Sequence, residues 1–125
     1  MAHQRHSIEC PELLIPVPLH PNRIKHRGFN QALELASVIG RELAIPVDHK
    51  HCRRLCDNTP QAGLNKLQRR SNIRGAFEIK NGLNVSHIAL VDDVVTTGST
   101  VNELARQLKK TGIQRIDVWA IARTP

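Results

Sequence analysis

One stretch constrains this chain more than any other: residues 88–100 read IALVDDVVTTGST. Its uninterrupted aliphatic start predicts a buried strand over residues 87–91. Downstream, apolar residues recur at helical spacing between Val101 and Leu108, which predicts a helix over residues 100–110. The stretch therefore predicts a strand, an acidic pair and a glycine-containing turn before a helix, in that order.

The acidic pair and the turn predict a binding site for a phosphorylated sugar. Ligands of open α/β sheets bind beyond the carboxyl ends of the strands, so Asp92 and Asp93 should lie in a ligand crevice. Partly buried carboxylates need partners, which the hydroxyls of a ribose or a metal ion would supply. Backbone amides, hydroxyls and a helix N-terminus in the turn favour a bound phosphate. The residues of this turn are Thr96, Thr97, Gly98, Ser99 and Thr100. The alternative is that the aspartates only end a strand and the turn only caps a helix.

The rest of the chain predicts alternating strands and helices. Residues 13–19, LLIPVPL, favour a short buried strand that ends in a rigid turn. Residues 30–44 have helical spacing, with Asn30 as the N-cap. Further strands are predicted over residues 47–52, 77–79 and 116–121. A loop is predicted over residues 53–63 and a short basic helix over residues 64–73. Thr100 and Glu103 have the spacing of a capping box at the start of the helix over residues 100–110. Such alternation indicates a parallel, right-handed sheet.

Composition limits the fold class and the partners. With 125 residues, one domain is expected, and two Phe, one Trp and no Tyr leave an aliphatic core. The 18 basic and 11 acidic residues give a net charge of +7, which favours nucleic acid or a phosphorylated small molecule, although a solvated basic surface is the alternative. No membrane-length apolar run and no signal peptide are present, so we expect a cytoplasmic protein without a membrane partner.

Two further groups of residues have both a functional and a structural interpretation. Cys52 and Cys56 lie near His49 and His51, but their spacing and the lack of a second pair make a zinc site the less favoured interpretation. Three clusters of basic residues could neutralise a pyrophosphate, or could simply form a solvated surface. These clusters are Arg23 to Arg27, Arg53 and Arg54, and Lys66 to Arg74.

The motif IALVDDVVTTGST resembles the phosphoribosyl-pyrophosphate (PRPP) motif of the type I phosphoribosyltransferases. Residues 15–19, Arg23 and residues 27–31 (RGFNQ) resemble the ComF/GntX family of competence and DNA-utilisation proteins, and the resemblance covers residues 13–123. It implies an α/β fold, namely the parallel-sheet type I phosphoribosyltransferase fold with flanking helices. Because the chain stops soon after its last predicted strand, we expect the hood to be reduced or absent. We expect residues 1–12 to be an N-terminal remnant or leader, without the family's cysteine-rich zinc-ribbon segment, and residues 13–125 to be the domain.

The resemblance also implies roles for particular residues. Asp92 and Asp93 would hold the ribose hydroxyls as the catalytic pair, and Thr96, Thr97, Gly98, Ser99 and Thr100 would hold the 5-phosphate. The pyrophosphate would be bound by Pro16, Val17, Pro18, Leu19, Arg27 and Arg69. Mg²⁺ would arrive with PRPP rather than bind the protein directly.

Two functions remain open from the sequence. The first is Mg²⁺-dependent phosphoribosyl transfer from PRPP to an unidentified acceptor. The second is a non-catalytic module that binds PRPP or a related ribose phosphate and acts with DNA or DNA-processing proteins.

Overall fold

The computed structural model describes residues 10–19, 30–55, 75–95 and 98–123. The elements are the strands β1 (Leu13–Pro16), β2 (Cys52–Arg54), β3 (Phe77–Ile79), β4 (His87–Val95) and β5 (Arg115–Arg123), and the helices α1 (Gln31–Leu43) and α2 (Ser99–Lys109). A parallel sheet has the order β1–β4–β5, and β2 pairs antiparallel with β3 in a second sheet. Within the described residues, no helix is long and apolar enough to cross a lipid bilayer.

The parallel sheet carries a helix on each face, as the predicted alternation of strands and helices implies. β4 is the central strand, and its side chains alternate between the two faces. Ala89 and Val91 pack in the cluster that includes Ala36 of α1. Ile88 and Leu90 pack in the cluster that includes α2. The core is therefore aliphatic and lies on both sides of β4, as the composition predicts.

α1 confirms the predicted helix and its cap. The side-chain oxygen of Asn30 accepts hydrogen bonds from the backbone amides of Ala32 (2.9 Å) and Leu33 (3.3 Å). The helix ends at Leu43 and is followed by its C-cap, Ala44, which adopts a left-handed conformation with a φ of 57° two residues before Pro46. α1 therefore ends where the sequence predicts, and the chain returns along the sheet, where Val47 forms an isolated bridge with Leu14.

α2 corrects the predicted capping box. The helix begins at Ser99, and its N-cap is Gly98, with a φ of 82° and no side-chain capping bond. Glu103 is buried. Its carboxylate accepts a hydrogen bond of 2.8 Å from the backbone amide of Gly75 and forms an ion pair with Arg106. Thr100 and Glu103 therefore do not form the predicted capping box, because the Glu103 carboxylate instead joins α2 to the segment before β3.

The β2–β3 pair corrects the predicted second strand. Only Val47 of residues 47–52 bridges the parallel sheet, and the strand proper begins at Cys52 and runs into the predicted loop. Phe77, predicted to start a strand, does start β3 and exchanges two hydrogen bonds with the Gln107 side chain, at 3.3 and 2.7 Å. This small sheet is consequently fastened to α2. The predicted helix over residues 64–73 lies outside the described residues.

Candidate functional site

The acidic pair lies within the central strand rather than after it. The predicted strand end at Val91 is wrong, because β4 continues to Val95 and remains paired with β5 over that length. Asp92 and Asp93 are both half-buried in the carboxyl half of β4. The longer pairing includes Asp92, which is paired with Ala120, so the sheet fixes the position of its backbone.

The Asp92 carboxyl has a strongly perturbed pKa. Burial is the largest cause, and together with the neighbouring Asp93 carboxyl it raises the pKa of Asp92 to about 7. The Asp93 backbone amide donates a hydrogen bond of 2.9 Å to Asp92, and the positive charge of Arg54 also lowers that pKa, but these effects are smaller. At neutral pH, a cation or a hydroxyl donor near Asp92 would therefore favour its ionised form.

The N-terminus of α2 follows the acidic pair closely along the chain. Gly98 takes a left-handed conformation that a side chain would strain, and its carbonyl accepts the first helical hydrogen bond from the Asn102 amide at 2.8 Å. Ser99 and Thr100, both half-buried, form the first turn, which contains no acidic residue. Helix amides at such an end, with the helix dipole, favour an anion. Thr96 and Thr97 lie outside the described residues.

The end of β1 lies beside the acidic pair. Pro16 is paired with Val91, and the backbone amide of Val17 donates a hydrogen bond of 2.9 Å to the Val91 carbonyl, one residue before Asp92. Pro18 and Leu19 follow and are half-buried. The structure thus brings the predicted pyrophosphate loop next to the predicted ribose carboxylates, whereas Arg27 and Arg69 lie outside the described residues.

Arg54 also lies in this region, although in the sequence it is distinguished only as one of the two adjacent basic residues Arg53 and Arg54. Its guanidinium carbon lies 5.7 Å from the centre of the Phe77 ring, and its charge acts on the Asp92 carboxyl. Arg53, the other member of the pair, is exposed and forms an ion pair of 2.8 Å with Glu78. Arg53 and Arg54 point to opposite sides because side chains alternate along β2. The sequence could not predict this difference, because a loop was predicted from residue 53 onward.

The cysteine and histidine cluster has structural partners. The Cys52 thiol is buried in the core, and burial raises its pKa to about 12, so it remains protonated. His51 Nδ1 lies 2.5 Å from the Asp48 carboxylate. Among the described residues, which exclude Cys56, no three His, Cys, Asp or Glu side chains are grouped to hold a metal ion.

Curated proteins of related sequence identify the relatives of this chain. Competence protein F of Haemophilus influenzae is 42% identical over 125 residues, which cover 98% of this chain and 55% of that protein. This chain is similar to Competence protein F over nearly its whole length. The DNA utilization protein YhgH of Escherichia coli O157:H7 is 36% identical over 123 residues, covering 98% of this chain and 54% of YhgH. The chain thus spans about half the length of the curated relatives it matches. No protein-family model matches the chain.

A solved structure confirms the predicted fold. The purine phosphoribosyltransferase from Pyrococcus horikoshii superimposes with a TM-score of 0.57, covering 98% of this chain and 66% of that enzyme. At 19% sequence identity, this likeness concerns the fold alone. The resemblance to ComF proteins and the phosphoribosyltransferase fold are therefore both confirmed, while the roles of individual residues and the reduced hood remain predictions.

Proposed function

We propose that this chain binds PRPP at the carboxyl end of β4 as a phosphoribosyltransferase-like domain, and that it transfers the phosphoribosyl group to an acceptor. One observation carries the proposal: a half-buried acidic pair on the central strand is followed by a glycine-capped helix N-terminus. The fold has a parallel sheet, and ligands of such sheets bind beyond the carboxyl ends of the strands. At that edge, the carboxylates would hold a ribose and the helix N-terminus would hold its 5-phosphate.

In this proposal, each group of residues meets one part of PRPP. The Asp92 and Asp93 carboxylates accept hydrogen bonds from the ribose hydroxyls. The first-turn amides of α2, with Ser99 and Thr100, bind the 5-phosphate. The backbone of residues 16–19 and the side chains Arg27 and Arg69 bind the pyrophosphate, as the family resemblance implies.

The donor set near β4 fits a magnesium ion brought by the ligand. Mg²⁺ in phosphate-binding sites usually takes one or two protein carboxylates together with phosphate oxygens and water. In this proposal the ion is held by oxygens of PRPP rather than directly by the protein, and its charge near Asp92 and Asp93 would favour the ionised form of Asp92. When bound, the ion would neutralise charge on the departing pyrophosphate, while the carboxylates orient the ribose beside it.

A single substitution tests the binding site. Asp93→Asn removes a charge but retains the shape of the side chain, so PRPP affinity should fall by about tenfold or more. Titration calorimetry with Mg²⁺ measures the change, and Asp117→Asn is the matched control because Asp117 lies on the neighbouring strand near its amino end. Unchanged affinity in the Asp93 variant would mean that the site is wrongly assigned.

Catalysis needs a separate experiment. Pyrophosphate release from PRPP should be measured over a panel of nucleobases and amines, with Asp93→Asn as the inactive control. Release that depends on an acceptor supports the transferase. Silence across the whole panel, with PRPP binding established, would exclude turnover by this chain alone and leave the binding module.

A second candidate function is a PRPP-binding module that contacts DNA. The names of two relatives, Competence protein F and DNA utilization protein YhgH, and the net charge of +7 favour it. Duplex binding should weaken steeply with salt, with the logarithm of affinity falling by about 0.9 per neutralised phosphate for each tenfold rise in salt. If no DNA binding is detected at low salt, direct contact with nucleic acid is excluded.

A further inference from the structure

The last strand, β5, forms a long edge of the parallel sheet. The sheet has the order β1–β4–β5, and among the residues that the structure describes no strand pairs with the outer side of β5. Long edges commonly carry lysine, proline or a bulge, which discourage further pairing. Residues 116–122 of β5 read IDVWAIA and contain a single charged residue. The composition of this edge therefore favours pairing with another strand.

The hydrogen bonds to β4 show which peptide groups of β5 point outward. The Arg115 amide donates a hydrogen bond of 2.9 Å to the carbonyl of Ser86, the residue before β4. Successive residues of a strand direct their peptide groups to alternate sides, so the odd-numbered residues of β5 face β4. Val118 and Ala120 consequently direct their amide and carbonyl groups outward, where they can pair with a further strand.

The apolar side chains of β5 are exposed on both faces of the sheet. Ile116 and Trp119 pack against the clusters on the α2 face and the α1 face, respectively. Further along the strand, Val118 is 46% exposed and Ile121 is 72% exposed. By alternation, Val118 lies on the α2 face and Ile121 on the α1 face. A strand added to this edge would cover apolar surface on both faces at once.

We propose that a second copy of this chain binds this edge, with β5 antiparallel to β5 and a two-fold axis at Ala120. A two-fold axis reverses the strand and makes the contact self-complementary, so the sheets of the two copies join into one. The inference goes beyond the proposed function, and it does not require PRPP to bind.

The register at Ala120 matches the apolar side chains of the two copies. It sets Trp119 of one copy opposite Ile121 of the other, and the symmetry repeats this pair. Both residues direct their peptide groups to β4, so they form a non-hydrogen-bonded pair, in which side chains approach most closely. An axis at Val118 would instead set Trp119 opposite Asp117. The apolar sequence therefore favours the axis at Ala120.

The charges of β5 select the same register. With the axis at Ala120, the acidic residue Asp117 of one copy lies opposite the basic residue Arg123 of the other, and the pair occurs twice. An axis at Trp119 would set Arg115 opposite Arg123, and like charges directly opposite each other destabilise a strand pair. The charge complementarity thus identifies a second copy as the occupant of this edge.

The first test measures the oligomeric state by sedimentation equilibrium at micromolar concentration. The parent chain should be dimeric. Ile121→Lys should weaken the dimer by about tenfold or more, because the added charge would be buried opposite Trp119. Val38→Lys is the matched control, since Val38 is an exposed apolar residue of α1, and its dimer should match that of the parent. A monomeric parent overturns the inference.

A second variant tests the backbone pairing itself. Ala120→Pro removes an amide that points outward, so it should weaken the dimer while β5 remains paired with β4. Far-ultraviolet circular dichroism and the melting temperature establish that each variant is folded. A dimer that is equally stable in Ile121→Lys and Ala120→Pro would lie on another surface and would overturn the inference. None of these measurements uses PRPP, so either result leaves the proposed function unaffected.

Disulfide cross-linking tests the register. In a background with Cys10 and Cys56 replaced by serine, single cysteines are introduced as Ala120→Cys, Trp119→Cys and Val118→Cys; Cys52 is retained because it is buried. The two Ala120 positions would form a hydrogen-bonded pair with Cα atoms about 5.5 Å apart, within the range of a disulfide. Oxidation should therefore cross-link Ala120→Cys most efficiently. More efficient cross-linking of Trp119→Cys or Val118→Cys would overturn the proposed register.

Discussion

The two ends of β4 carry acidic side chains in opposite electrostatic states. At the amino end, the Glu12 carboxylate accepts hydrogen bonds from the Ser86 backbone amide and hydroxyl, both at 2.9 Å, and from the His87 amide at 3.1 Å. The Ser86 amide is the largest cause that lowers the pKa of Glu12. At the carboxyl end, burial instead raises the pKa of Asp92 to about 7.

A second pair at the amino end follows the same pattern as Glu12. His87 Nε2 lies 2.9 Å from the Asp117 carboxylate, and this hydrogen bond is the main reason that the pKa of Asp117 is lowered. Acidic groups at this end are therefore stabilised as anions by the protein's own donors. At the other end, burial outweighs such contacts at Asp92. The difference fits the proposal that the amino end serves the fold and the carboxyl end binds a ligand.

The largest effect on stability should come from adding a side chain at Gly40, where α1 packs closely against the segment that follows it. A Cβ atom on Gly40 would lie 2.6 Å from the Ile45 carbonyl oxygen and 2.8 Å from a methyl group of Val47. Gly40→Ala should therefore reduce the free energy of unfolding by about 1–3 kcal/mol, despite the better helix propensity of alanine. Urea denaturation measures it, with Glu42→Ala on the exposed side of α1 as the control. A more stable Gly40→Ala variant would show that this end is loosely packed.

The next effect tests whether the His87 pair is structural. Asp117→Ala leaves a buried histidine without its carboxylate and should cost about 1–2 kcal/mol near neutral pH. The pKa of Asp117 is lowered, so its contribution is present above the ordinary value of 3.8 and is lost as the pH falls through the folded value. Arg115→Ala, which removes the exposed contact of 3.3 Å with Asp117, should cost less than about 0.5 kcal/mol. A loss of PRPP affinity in Asp117→Ala would contradict the division between the two ends.

Asp92 should respond in the opposite direction. Its pKa is raised above the ordinary value of 3.8, so the ionised carboxyl lowers stability progressively as the pH rises from about 4 to about 7. Asp92→Asn, which is always neutral, should therefore be more stable than the parent at pH 8 by on the order of 1 kcal/mol, with no gain near pH 3.5. Urea denaturation at both pH values measures this. A gain that does not depend on pH, or a loss at pH 8, contradicts the prediction.

The elements that the sequence predicts well are those with a local cause. Asn30 caps α1 by accepting hydrogen bonds from amides two and three residues away. The aliphatic run of β4 has apolar side chains on both faces of the strand, and these are buried on both faces of the sheet. The Asp92–Asp93 pair was predicted to follow the end of β4, but it lies within the strand, which continues to Val95. Aspartate is uncommon in strands, and only pairing with β5, which no local pattern reports, extends the strand to Val95.

Contacts between distant segments explain the remaining differences. Glu103 has the spacing of a capping residue, yet its carboxylate binds the amide of Gly75, 28 residues earlier. β2 has only three residues, and its pairing with β3 determines which of its two arginines faces Asp92. The acidic pair and the phosphate turn could therefore be proposed from a motif, whereas the position of Arg54 near Asp92 depends on the tertiary structure.

The smallest effect should come from Glu12, and its pH dependence makes it a sharp test. Because the pKa of Glu12 is lowered, its stabilising contribution is present above the ordinary value of 4.5 and disappears as the pH falls through the folded value. Glu12→Gln should thus melt slightly below the parent at pH 7, and the two melting curves should converge in acid. The exposed position of Glu12 keeps the difference below that of Asp117→Ala. Asp92→Asn and Glu12→Gln would then differ from the parent in opposite directions at pH 7 to 8, since one carboxylate opposes folding and the other supports it. If both variants changed stability in the same direction, the electrostatic contrast between the two ends of β4 would be wrong.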